Sequence, residues 1–284
     1  MNVGIICEKS YQRSLLIENY YYVIKNIYGD VKHIQSINDL DDINILFIGN
    51  DHFGFHRNIW FNGDFINRCN ALKIKVVIIG GEKILNTPYP ECASIQKAIE
   101  SIKDHHQYVW DVDDAIAMNK KIIGYPISKH YKQFFNCTEK NNKCLFIGQY
   151  THPVYKERQH VLNKVKNYID IDIMTNLPTN WQEYLNIYCS YKYSLCPVST
   201  DSNAIPTRFY EALLTNCIPI LQIRKNTLEF YKEEAQVKEA IFFEDVDELK
   251  EKIKNHQYER CETQIWGEDK MIKLFKEDGI PVPE

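Results

Sequence analysis

The sequence predicts an α/β protein built as two Rossmann-like lobes, and three observations predict it. Strand-sized apolar runs alternate with helical patterns along the chain, the signature of parallel strands joined by crossover helices. A polar stretch at residues 135–142, FNCTEKNN, interrupts that alternation and divides it into two series. The length, 284 residues, corresponds to about two domains of ordinary size.

In the first series, residues 3–7 (VGIIC) are a short apolar run with no basic segment or cleavage site before it, read as a buried strand and not as a signal peptide. Residues 14–27 have a helical pattern, 31–34 a weaker strand, and 45–48 a buried one. Strands follow at 75–79 and 121–123, with a helix at 94–102 between them. Gly49, Gly80 and Gly124 follow three of these strands and mark sharp turns or sites of close ligand approach. The second series runs strand 144–147, helix 155–169, strand 171–174, helix 180–189, strand 193–196, helix 206–214 and strand 218–222. Helical periodicity returns at 246–253 and 262–276. An isolated amphipathic helix is marginal, so the last one is expected to pack back on the first lobe. The expected division is therefore 1–135, 143–260 and a terminal helix with tail at 261–284.

Lys and Arg number 34 against 38 Asp and Glu, a net charge of −4. That balance argues against a broadly basic nucleic-acid binder and leaves room for a local basic pocket around a small ligand. The best apolar runs, 76–79 and 218–223, are strand-sized and far too short to cross a bilayer, so no transmembrane segment is expected. Nine cysteines are scattered without a CxxC pair, an odd total that favours reduced thiols and a cytoplasmic setting.

The most informative stretch is residues 190–221, SYKYSLCPVSTDSNAIPTRFYEALLTNCIPIL. A strand ends near Cys196, a polar loop follows, Pro206 suits an early helical position, and Arg208 and Glu211 fall one helical turn apart. A guanidinium there suits a diphosphate and a carboxylate suits two adjacent sugar hydroxyls; the competing reading is a local ion pair.

Tyr191-Lys192-Tyr193-Ser194-Leu195, then Arg208-Phe209-Tyr210-Glu211-Ala212-Leu213, then Asn216-Cys217-Ile218-Pro219-Ile220, resemble the entry strand, helix and proline-containing strand of the donor lobe of GT-B glycosyltransferases, especially exostosin-like and fucosyltransferase-like members. The close resemblance covers about residues 144–221. It implies a GT-B-like fold with a ligand cleft between the lobes and transfer of a sugar from a nucleotide diphosphate sugar to a saccharide acceptor, with no cofactor besides that donor. It implies that Glu211 meets the nucleotide ribose and that a basic residue beyond the first donor-lobe strand, here Arg158 before the weaker Lys156, compensates the diphosphate beside Arg208. Gly148 would permit close approach of the nucleotide. Ser199, Asp201 and Asn203 would contact sugar or diphosphate; Asn203 stands where retaining members carry a second acid, which tilts the expectation toward inversion.

The run at residues 45–57, ILFIGNDHFGFHR, joins a strand to a loop rich in acid-base groups. Asp51 and His52 are the candidate bases for an acceptor hydroxyl, with His56 and Glu8 behind them. Asp111, Asp113 and Asp114 read as a solvated acidic stretch, and His105-His106 lacks converging partners, so no metal site is expected. Neither a P-loop nor a dinucleotide fingerprint is present. Two other functions remain open: a nucleotide-sugar or glycan-binding protein without turnover, and a nucleotide-sugar epimerase or hydrolase.

Overall fold

The structure, a computed structural model, describes residues 1–7, 15–50, 61–80, 91–135, 137, 139–176, 178, 180–198, 202–262 and 264–283. The chain divides into two compact units, one of residues 1–128 with 267–284 and one of residues 129–266. The polar stretch 135–142 falls inside the second unit.

The first unit contains β1 (Val3–Ile6), α1 (Leu15–Tyr28), β2 (Val31–His33), β3 (Ile45–Asn50), α2 (Gly63–Leu72), β4 (Lys75–Gly80), α3 (Glu91–Glu100), β5 (His105–Val109), α4 (Val112–Met118) and β6 (Lys121–Ile122). Its six strands lie in the order β2-β1-β3-β4-β5-β6. Every neighbouring pair is parallel. Strands β3 and β4 are almost continuously apolar because both faces of a parallel sheet are covered. On one face, Leu46, Ile48, Val76 and Ile78 pack with Phe65 of α2 and Ile99 of α3.

Strand β5 escapes sequence reading because it opens on His105 and His106 and lacks an apolar run. Its histidines serve the sheet: His105 Nδ1 lies 2.7 Å from the Ile102 carbonyl, and His106 Nε2 lies 3.4 Å from Lys75 Nζ. The acidic stretch after it also has a structural use. Asp111 caps α4, accepting from the amides of Asp113 at 2.9 Å and Asp114 at 3.3 Å. Asp111 and Asp114 are buried, which corrects the reading of that stretch as solvated.

The C-terminal helix, Gly267–Glu277, returns to the first unit as expected and packs against α1. Phe275 is fully buried, its ring 5.5 Å from Phe47 and 6.0 Å from Tyr108. Glu268 Oε1 accepts from Asn26 Nδ2 and Ser128 Oγ, each at 2.7 Å. Lys121 Nζ and Tyr108 Oη hold the carboxylate of Asp278 at 2.5 and 2.7 Å. The Gly267 amide donates to the Ile127 carbonyl at 2.7 Å, and a Cβ on Gly267 would come within 2.7 Å of the Pro126 backbone.

The second unit contains β7 (Asn141–Ile147), α5 (Lys156–Val165), β8 (Ile171–Met174), α6 (Trp181–Cys189), β9 (Tyr191–Cys196), α7 (Thr207–Leu214), β10 (Ile218–Gln222), α8 (Thr227–Phe230), β11 (Ile241–Phe243) and α9 (Val246–Lys254). Its strands lie in the order β11-β10-β9-β7-β8, again all parallel. The chain is thus α/β and GT-B-like in having two Rossmann-like units in series and a terminal helix that returns to the first.

Cys137 and Cys189 form a disulfide across 52 residues, with Cα atoms 5.0 Å apart. This corrects the expectation that the cysteines are reduced and removes the cysteine argument for a cytoplasmic setting. Beside it, Lys140 Nζ donates to the carbonyls of Tyr191 at 3.1 Å, Thr215 at 2.9 Å and Tyr188 at 3.4 Å. One ammonium therefore caps the carboxyl ends of both α6 and α7. Among the described residues no helix is long and apolar enough to cross a membrane.

Candidate functional site

In an open parallel sheet, ligands gather beyond the carboxyl ends of the strands. In the second unit, that edge carries four of the residues singled out from sequence. Strand β7 ends at Ile147, and Gly148 follows with φ of +137°, a conformation that favours glycine. Arg208, at the start of α7, donates from Nε to the Ile147 carbonyl, and its guanidinium lies 5.3 Å from the Phe146 ring centre. A Cβ on Gly148 would overlap Arg208 Nη2. The glycine is thus required twice, by its backbone and by the guanidinium packed over it.

Arg158 reaches the same place from the first turn of α5. It is 7% exposed, donates from Nη1 to the Gln149 carbonyl at 2.8 Å, and lies 4.4 Å over the Tyr155 ring. Its Nε is buried without a partner. Among the described residues neither Arg158 nor Arg208 makes an ion pair. Burial, and then the positive charge of Arg208, bring the Arg158 guanidinium down to about 10, with Tyr155 opposing. A buried cation whose charge is disfavoured by burial and by a second cation, and which keeps an orphaned donor, forms a site that an anion would relieve.

Glu211 lies one turn after Arg208 on α7 and is buried. The ion pair that their spacing allows does not form. Instead, Tyr184 and Tyr188 of α6 donate their hydroxyls to Glu211 Oε2 at 2.7 and 2.8 Å. Burial pushes the Glu211 carboxyl upward, against the two tyrosine hydrogen bonds and the charge of Arg208. Burial and the Glu211 charge push both phenols well above their ordinary range, so they stay protonated and act as donors. Sequence reading missed both tyrosines; their spacing of four on a helix was the available signal.

Asn203 Oδ1 accepts from Thr227 Oγ1 at 2.6 Å, at the start of α8. Glu157, next to Arg158, turns toward β10 and binds Arg224 at 3.1 Å and Gln222 at 3.2 Å. Ser199 and Asp201, and the candidate bases Asp51 and His52 with His56 and Glu8, lie outside the described residues. Among the described residues no three His, Cys, Asp or Glu side chains are grouped to hold a metal.

Compared with known proteins, the chain matches no family model and no curated protein. Among solved structures it is similar to one described as "Crystal Structure of alpha1,3-Fucosyltransferase", at 12% identity and a TM-score of 0.49, covering 100% of this chain and 91% of that one. The geometry by itself establishes a paired-arginine site beside a tyrosine-held carboxylate at the carboxyl edge of a parallel sheet.

Proposed function

We propose that the protein is a glycosyltransferase that moves a sugar from a nucleotide diphosphate sugar to a carbohydrate hydroxyl, with the donor held by the second unit. The observation that carries this reading is the buried Arg158 guanidinium, unpaired at Nε and set beside Arg208 where β7 ends. A diphosphate offers the two negative centres such a pair lacks, and charge-assisted hydrogen bonds to it are among the stronger polar contacts in proteins. Glu211 supplies the acceptor expected for a ribose diol. Gly148 leaves room for the Arg208 guanidinium to pack over the backbone where the phosphates would approach.

The reaction asks little more of this unit. The acceptor oxygen bonds to the anomeric carbon as the bond from that carbon to the phosphate oxygen breaks; the hydroxyl proton passes to a base, and the nucleoside diphosphate departs. Arg158 and Arg208 would stabilise the charge growing on the leaving diphosphate. Asp51 or His52 is the proposed base, and inversion the proposed outcome, both on the sequence pattern.

The test is a mass-spectrometric panel of nucleotide sugars and saccharide acceptors. Acceptor-dependent mass transfer is expected from the native protein and not from Arg158→Ala or Glu211→Gln. Tight nucleotide binding without product would instead make it a binding protein, and a freed or epimerised sugar without acceptor would make it a hydrolase or epimerase.

A further inference from the structure

We propose that Tyr184 and Tyr188 are positioning residues that turn Glu211 into a one-oxygen receptor for a vicinal diol, the ribose of a nucleoside diphosphate. The proposal rests on the donor-site reading above and names what fixes its selectivity. A glutamate carboxylate rotates broadly about its last torsion, so an unheld Glu211 would not present a fixed acceptor. Here both phenols converge on the same atom, Oε2, at 2.7 and 2.8 Å. Oε1 has no partner among the described residues and is the atom left to accept from ligand hydroxyls.

The two phenols are themselves organised. Their oxygens are 3.2 Å apart and their rings meet edge to face at 5.6 Å. Spacing of four puts them on one face of α6, toward α7. The end of that helix is fastened by the Cys137–Cys189 disulfide and by Lys140 on the Tyr188 carbonyl. The charged and titratable groups around the carboxylate are Tyr184 and Tyr188 from α6, Arg208 from α7 and Cys196 from β9. Deleting a phenol removes a donor that favours the ionised carboxylate while burial continues to oppose it, so affinity for the diol should fail at a higher pH.

The experiment is calorimetric titration across acid pH with guanosine and uridine 5′-diphosphates and their 2′,3′-dideoxy counterparts, using the native protein, Tyr184→Phe and Tyr188→Phe. The native protein should prefer a ribonucleotide over its dideoxy form by about tenfold or more. Each variant, with its thermal unfolding little changed, should lose most of that preference and show its acid fall-off at higher pH; a merely structural role would move neither. Should Tyr188→Phe fail to fold, the less buried Tyr184→Phe decides. Native preference that survives in the folded variants, with the acid limb unmoved, overturns the tyrosine role alone. No binding of any nucleoside diphosphate by the native protein overturns the donor-site reading and this proposal with it.

Discussion

The guanidinium of Arg208 occupies the space that a side chain on Gly148 would need, while the Gly148 backbone sits at a positive φ of 137°. Far apart in the chain, the two positions are fixed to one another by the Arg208 hydrogen bond to Ile147 and its stacking on Phe146. Gly148→Ala therefore has to displace Arg208 as well as strain the backbone. The expected cost is about 1–3 kcal/mol of stability, measured by urea unfolding, together with about tenfold weaker nucleoside diphosphate binding.

Arg158→Met should separate binding from folding. It removes a buried guanidinium disfavoured by burial and by Arg208, so the ligand-free protein should unfold at the same temperature or higher. Added pyrophosphate should raise the melting temperature of the native protein and leave that of the variant unmoved. The anticipated loss in nucleoside diphosphate affinity is about 1.5–3 kcal/mol, read by calorimetry.

The C-terminal helix should be held most firmly between acid and strongly basic pH. Burial raises the Asp278 carboxyl, but the hydrogen bonds from Lys121 and Tyr108 outweigh it and leave the group below its ordinary value. Its contribution is present above about pH 4 and is lost as pH falls through the lowered folded value. Lys121 is raised, first by its hydrogen bond to Asp278, against burial and with help from Glu277. Its contribution is present below about pH 10.4 and disappears as pH rises through the folded value. Protection of the terminal helix from hydrogen exchange, taken relative to the intrinsic rate at each pH, should fall at both limits, and Asp278→Asn should abolish most of the acid-side change.

Reduction should weaken the second unit selectively. A bond closing a loop across 52 residues stabilises by about 4 kcal/mol in the chain-entropy account. Cys137→Ser with Cys189→Ser, or a reducing agent on the native protein, should lower the unfolding midpoint of residues 129–266, followed by exchange mass spectrometry. The midpoint of the first unit should stay where it is.

Strands β3, β4 and β10 were readable because they are continuous apolar runs, which only a sheet covered on both faces demands. Strands β5 and β11 were not: one opens on two histidines, and the other is three residues at a sheet edge. Gly148, Arg158 and Arg208 were readable as residue types at strand and helix ends, and Glu211 as a carboxylate one helical turn beyond Arg208. The tyrosine contacts to Glu211 and the Cys137–Cys189 bond depend on how α6 lies in the folded unit, across sequence gaps that no periodicity encodes. Asp111 looked like free surface charge because a helix cap and a solvated acid are spelled with the same letter.

The amide of Gly267 donates to the carbonyl of Ile127, so the chain leaves the first unit and re-enters it at one spot. In the order of synthesis, the first unit begins before the second and finishes after it. Residues 129–266 can collapse as an uninterrupted segment while the ribosome is still adding the rest. The first unit must wait: until Phe275 arrives, Phe47 and Tyr108 keep a face uncovered, and Tyr108 has no Asp278 to bind. A nascent chain stopped just before Gly267 would thus hold a completed C-terminal half and an unfinished N-terminal one, reversing the usual head-first order of maturation.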